Sequence, residues 1–173
     1  FMHKTVHAGE AYGPESIFQA ITELHADRIG HGYYLFDKTK IKSKAIKDKD
    51  KFVEYLSQFI ADRRITIEVC LTSNLQTNPS IQDVRHHTFV EMLKHNICTT
   101  LCTDNRTVSK TNVTKEILLA MNNLTLSGNM LKNMLAHGFK RSFFPGKYAE
   151  KRKYVRQCLN MYEKITKGIG RFN

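Results

Sequence analysis

The sequence predicts an α/β fold, the C-terminal half of a (β/α)8 TIM barrel, built from about four βα units followed by C-terminal helices. Three observations carry this expectation. Short apolar runs alternate with stretches of helical periodicity over the first two-thirds of the chain, which is the pattern of parallel βα units. Three of the runs end in clusters of His, Asp or Glu: Val6-His7-Ala8-Gly9-Glu10, Arg28-Ile29-Gly30-His31-Gly32 and Leu101-Cys102-Thr103-Asp104-Asn105. In a barrel such strand ends all open on one face, where the active site forms. Finally, the chain has 173 residues, against the roughly 250 of a typical whole barrel.

Residues 1–7 read as the first strand. Pro14-Glu15 opens a helix, with Pro where its missing N–H costs nothing. Ile17, Ala20, Ile21 and Leu24 form the apolar face of that helix. Residues 27–30 make a very short strand ending at His31. The polar stretch 33–48 is a loop with one helical turn at most. Residues 49–62 form a helix with Phe52, Tyr55, Leu56, Phe59 and Ile60 on one side. Ile65 to Cys70 is a β-branched strand. Pro79 is expected to start a helix carrying Val84, Phe89, Val90, Met92 and Leu93. Residues 97–102 are the last strand, and the near-continuous apolar character of all four suggests cover on both faces.

Past residue 111 the alternation stops. Thr111 or Asn112 is placed to cap a helix over 114–125. Met130 to His137 and Ser142-Phe143-Phe144 read as shorter helical pieces, Pro145-Gly146 as a turn, and 148–166 as a closing helix ending at Gly168. The chain opens inside a strand. Residues 1–173 are therefore expected to be the C-terminal half of one catalytic barrel domain whose N-terminal half is not present in this chain.

Composition narrows the function classes. Apolar residues make up 41% and charged residues 25%, ordinary for a globular protein, and no apolar run is long enough to span a bilayer. The net charge of +11 raises nucleic-acid binding. However, Lys38–Lys51 has Asp48 and Asp50 mixed in and no aromatic ladder, and Lys147–Arg156 reads as helical with Glu150 interleaved, so both read as solvated helix faces. No nucleic-acid or membrane partner is expected. Cys70, Cys98, Cys102 and Cys158 lack CxxC spacing and read as reduced thiols, which points to a cytoplasmic protein.

The strand ends carry the chemistry. A neutral imidazole such as His7 can bind zinc, and a carboxyl three residues on, Glu10, can shuttle a proton. By itself His7 reads equally well as a structural histidine. His31 stands between two glycines, which allow a sharp bend and close ligand approach; a tight βα turn is the alternative. Asp104 follows an apolar strand and reads either as a reactive carboxylate or as a helix N-cap. Glu68 projects from a strand, needs a partner there, and is expected to support the reacting groups from behind them. Taken together, His7, Glu10, His31 and Asp104 on three strand ends point to metal-assisted hydrolysis.

These runs, with Glu68-Val69-Cys70-Leu71-Thr72-Ser73-Asn74 and Thr103-Asp104-Asn105, resemble in content and order the motifs of the adenosine deaminases. The resemblance covers nearly the whole chain and implies hydrolysis of adenosine to inosine and ammonia in purine salvage, with Zn2+ as cofactor and a purine nucleoside as substrate. It implies that His7 and Asp104 are metal ligands and that Glu10 donates a proton to purine N1. It further implies that His31 orients the attacking water and that Gly9 and Asn105 contact substrate. Many family members carry a second aspartate where this chain has Asn105; an amide can donate to purine N7 at any pH. The Thr103-Asp104-Asn105-Arg106 run resembles a bacterial branch.

A larger departure is the His-x-His pair from which the family takes two further zinc ligands. It is absent here. His3 and His7 sit at opposite ends of one predicted strand and cannot replace it. His86-His87 are expected on a helix surface. Two alternatives accompany the adenosine reading: a deaminase of adenine or of another aminopurine nucleotide, and an inactive half-barrel that pairs with a partner through exposed edges at 1–7 and 97–102.

Overall fold

The structure, a computed structural model, describes residues 2–168. Its strands are β1 (Thr5–Ala8), β2 (Arg28–His31), β3 (Thr66–Val69) and β4 (Thr99–Leu101). They form one sheet in the order β1-β2-β3-β4, with every pair parallel. Spatial order that follows chain order, without reversal, is the arrangement of a barrel arc. The α/β half-barrel is therefore what the chain forms.

Helices alternate with these strands and then follow them. They are α1 (Pro14–Thr22), α2 (Lys49–Asp62), α3 (Leu71–Thr77), α4 (Phe89–Lys94), α5 (Arg106–Ser109), α6 (Val113–Asn123), α7 (Gly128–Lys140) and α8 (Tyr148–Gly168). The starts follow local chemistry. Asp48, Asn112 and Ser127 accept backbone N–H bonds from Lys51, Lys115 and Met130 at the heads of α2, α6 and α7, satisfying donors that a helix leaves without partners.

The strands alternate rather than being apolar on both faces. Val6, Ala8, Ile29, Ile67, Val69 and Leu101 pack into the core with Ile17, Leu56, Ile60, Phe89 and Met92 of the helices. Each large, fully buried side chain among them, such as Ile29, Ile67 or Phe89, contributes roughly 1.5–3 kcal/mol by leaving water. Residues one position away carry polar groups instead. The register aligns His7 with Gly30, Gly30 with Glu68, and Glu68 with Thr100. Arg28 Nε donates to Glu68 Oε1, and Thr5 Oγ1 donates to Glu68 Oε2 at 3.0 Å. The period of two in a strand sends these residues to one side. The expected two-sided apolar character fails because that side holds an ion pair and the site.

Other expectations are corrected. No helix starts at Pro79. A 3-10 turn at Val84–His86 and the short α4 replace it, because His87 adopts extended backbone between them. The helix α3, which sequence periodicity did not reveal, takes up the chain directly after β3. Ser142-Phe143-Phe144 is not helical. The outer strands also differ: β1 is largely exposed, whereas β4 is buried throughout. Helix α7 lies so close to β4 that a Cβ on Gly138 would stand 2.8 Å from Thr100 Oγ1.

Candidate active site

The carboxyl ends of the strands bring His7, Glu10, His31 and Asp104 together. One Nε2–carboxylate pair, His31 Nε2 and Glu10 Oε2, is 3.3 Å apart, and His7 Nδ1 is 3.6 Å from the same oxygen. The His7 and His31 rings meet edge to face with centroids 4.6 Å apart. Single ligand atoms of His7, His31 and Asp104 all lie within 4.8 Å of one another. His31 is buried (1% exposed), while 61% of the His7 side chain is open.

Backbone geometry aims these groups. His31 has φ +65° and Asp104 φ +53°, left-handed conformations that cost non-glycine residues on the order of 1–3 kcal/mol. His31 closes β2 and Asp104 follows β4 by three residues, so in both places the chain leaves the sheet through a left-handed residue. Gly9, at φ +68°, makes the equivalent turn after β1. A Cβ there would meet Ile17 Cδ1 at 2.6 Å. Both backbone groups of Gly9 are engaged: its N–H donates to Ser16 Oγ at 2.9 Å and its carbonyl accepts from Tyr34 N–H at 2.7 Å.

The helix-cap role suggested for Asp104 belongs to its neighbour. Asn105 Oδ1 accepts from the N–H groups of Thr107 and Val108 at 3.1 and 3.0 Å. Asp104 Oδ2 instead accepts from Ser73 Oγ at 2.7 Å. The next residue of α3, Asn74, has its Nδ2 3.2 Å from His31 Nδ1. One short helix therefore reaches both Asp104 and His31. Its own first turn is anchored by buried Glu116, which accepts from Thr72 N–H at 3.1 Å, from Thr72 Oγ1, and from Thr111 Oγ1 at 2.7 Å.

His86 and His87 part company. His86 is exposed, as expected, but His87 is 2% exposed and bonded to Asn74. Surface placement fails because the backbone leaves the 3-10 turn at His87 and drives its ring inward against Tyr33, at 5.0 Å between centroids. His3 lies away from the site, stacked on Phe143 and 3.5 Å from Asp27. Sequence reasoning thus missed Ser73, Asn74 and His87 as neighbours of the reactive groups. A signal for the first two was available, since Ser73-Asn74 closes the run that starts at Glu68.

Burial pushes the His31 imidazole below its ordinary pKa, Glu10 opposes that shift, and His7 adds to it. Burial also drives His87 down to about 4. Beside Glu10 opens a cleft of about 330 Å3 lined with Tyr33, Tyr34, Asn74 and Asn78, a size suited to a small ligand. The donor set of imidazole nitrogens and a carboxylate oxygen, gathered within 4.8 Å, is of the kind that could hold a metal ion.

A parallel βα arc that gathers imidazoles and carboxylates at its strand ends defines the class: a barrel-type α/β protein with a candidate metal centre at the carboxyl ends of its strands. The chain belongs to the adenosine deaminase family, whose family model matches residues 2–159.

An adenosine deaminase of Escherichia coli O1:K1 is 37% identical over 155 residues, covering 90% of this chain and 41% of that protein. One from Yersinia pseudotuberculosis is 39% identical over 139 residues, covering 80% and 37%. The chain thus spans about two-fifths of the length of these relatives. Among solved structures, the N6-methyl-AMP deaminase of Arabidopsis thaliana superposes with a TM-score of 0.67 at 28% identity, over 92% of this chain and 41% of that one. The fold is shared with an adenine deaminase of Arthrobacter aurescens, at TM-score 0.74, 20% identity and coverage of 94% and 44%. It is shared too with a Burkholderia ambifaria amidohydrolase solved with bound Zn, at TM-score 0.75, 22% identity and coverage of 96% and 43%.

Proposed function

We propose that this chain is the C-terminal half of a zinc-dependent, cytoplasmic adenosine deaminase, and that residues supplied by the N-terminal half complete its site. The observation that carries the proposal is the convergence of His7, Glu10, His31 and Asp104 at the strand ends, from positions far apart in the chain. His7 and Asp104 would hold the metal, and zinc when bound makes hydroxide available near neutral pH.

The chain's own groups then handle protons and substrate. The His31 N–H orients the attacking oxygen. As that oxygen bonds to purine C6, electrons move to N1, and Glu10 delivers a proton there. The C6–N bond then breaks; of the two protons the water gives up, one leaves with the amino group as ammonia and the other restores the Glu10 carboxyl. Asn105 uses its Oδ1 as a helix cap, which leaves its Nδ2 to donate to purine N7. With both backbone groups taken and the place of its missing Cβ filled by Ile17, Gly9 serves the substrate by allowing the left-handed turn that carries the chain from β1 to Glu10. Glu68, held by Arg28 and Thr5, stiffens the strand layer under His7.

The direct test is ammonia release from adenosine, adenine and adenylate by the chain combined with the complementary barrel half, with zinc measured in parallel. Adenosine is expected to be turned over fastest. Preference for adenine or adenylate would move the assignment to another aminopurine deaminase. A second reading, a non-catalytic half-barrel pairing with another chain, is favoured by the exposed outer strand β1. A zinc-free dimer in light scattering, without turnover, would establish it.

A further inference from the structure

We propose that Asn74 and His87 are positioning residues that fix which ring nitrogen of His31 carries its proton, and that the backbone N–H of Phe89 is the group that dictates the choice. The three side chains form a buried line. Phe89 N–H donates to His87 Nδ1 at 3.0 Å, His87 Nε2 is 3.2 Å from Asn74 Oδ1, and Asn74 Nδ2 is 3.2 Å from His31 Nδ1. His31, Asn74 and His87 are each at most 2% exposed, so water is not at hand to relieve a mismatch.

The donor and acceptor count along this line has one solution. A backbone N–H is always a donor and its peptide plane does not turn over. His87 Nδ1 must therefore be the acceptor, and the proton of the neutral ring sits on Nε2. That N–H needs an acceptor, which places the Asn74 carbonyl toward His87. The Asn74 amide nitrogen is then turned toward His31 and donates to Nδ1. His31 Nδ1 is an acceptor, so its proton sits on Nε2, the nitrogen 3.3 Å from Glu10.

The reversed arrangement fails at its far end. Were His31 protonated on Nδ1, the Asn74 carbonyl would have to face it and the amide nitrogen would face His87 Nε2. The His87 proton would then move to Nδ1, directly against the Phe89 N–H, leaving two buried donors head to head. Burial keeps His87 from escaping by taking a second proton.

The consequence is chemical. His31 offers a hydrogen-bond donor to the site, and its Nε2 carries a proton in place of a lone pair free for a metal, although the residue lies beside His7 and Asp104. Zinc binding therefore falls to His7 and Asp104 among these three. The tautomer assignment stands on hydrogen-bond geometry; only its kinetic consequence rests on the deaminase reading above.

The experiment is long-range proton–nitrogen NMR of this chain, metal-free and labelled with 15N-histidine. The expected result is the Nε2–H tautomer for both His31 and His87; an Nδ1–H tautomer at His31 overturns the proposal. In Asn74→Asp the carboxylate can only accept, and His31 should switch to Nδ1–H while His87 keeps Nε2–H; an unswitched His31 also overturns it. His87→Gln should retain the Nε2–H form at His31, because a glutamine carbonyl can accept from Phe89 while its amide donates to Asn74. Should Asn74→Asp fail to fold, the wild-type spectrum still decides. In the assembled enzyme Asn74→Asp should lower kcat by about 10–100-fold with KM little changed, the usual scale for partners of a site histidine, and His87→Gln should restore most of the loss seen in His87→Phe. A correct tautomer with no turnover would sink the deaminase reading and leave the relay standing. Turnover with an Nδ1–H tautomer would do the reverse.

Discussion

Gly30 lies directly across the β1–β2 ladder from His7, and a Cβ on Gly30 would stand 2.7 Å from His7 Cδ2. The ring of His7 therefore occupies space that exists only because its neighbour has no side chain. Gly30→Ala should push the imidazole aside and weaken zinc binding while leaving the helix content intact. Zinc titration beside circular dichroism checks this, and unchanged affinity would mean that His7 is not a ligand.

Glu10→Gln keeps the size of the side chain and removes its acid. In the assembled enzyme kcat should fall by roughly 10²–10⁴, the range for a lost general acid. Zinc content should hold. Wild-type turnover in this variant removes Glu10 from the mechanism.

Asp104→Ala should reduce zinc stoichiometry without destabilising α5, since the cap of that helix is Asn105 and not Asp104. Elemental analysis and thermal unfolding separate the two effects. A full complement of zinc in this variant would contradict the assigned ligand set.

Asn105→Ala removes two functions at once. Loss of the cap should cost about 1 kcal/mol of stability, and loss of the amide donor should raise KM and lower kcat together. Denaturant unfolding measures the first and steady-state kinetics the second. A stability loss with silent kinetics would place N7 recognition elsewhere.

Acid should destabilise the fold through His87. Free histidine titrates near 6.5, whereas His87 in the folded chain is held down to about 4 by burial, with His31 adding to the effect. Between these values the unfolded chain binds a proton that the folded chain refuses, so stability falls as pH drops from about 6.5 toward 4. The loss amounts to roughly 3 kcal/mol by the conversion of 1.36 kcal/mol per unit. Above pH 6.5 this contribution is fully present. Urea unfolding across this window should show a flatter pH dependence in His87→Gln than in the wild type.

Sequence order alone determined the parallel βα arc, the family, and the strand ends that carry His7, Glu10, His31 and Asp104, because local patterning of apolar runs and breaking residues is written along the chain. Pro14 and Asn112 likewise announced their helices through backbone chemistry confined to one turn, whereas the Asp48 cap of α2 emerged only in the structure. Tertiary structure alone decided which polar groups meet. His87 looked like a surface residue until the backbone turned its ring inward, and the paired suggestions for Asp104, cap or reactive carboxylate, were separated only when Asn105 was seen to hold the cap. The partners of α3 were hidden for the same reason: Ser73 reaches Asp104, Asn74 reaches His31, and Glu116 holds Thr72 through contacts between residues 31 to 44 positions apart. Hydrogen bonds of that span depend on how the strands and helices are stacked, and periodicity along a sequence carries no record of what lies across a sheet.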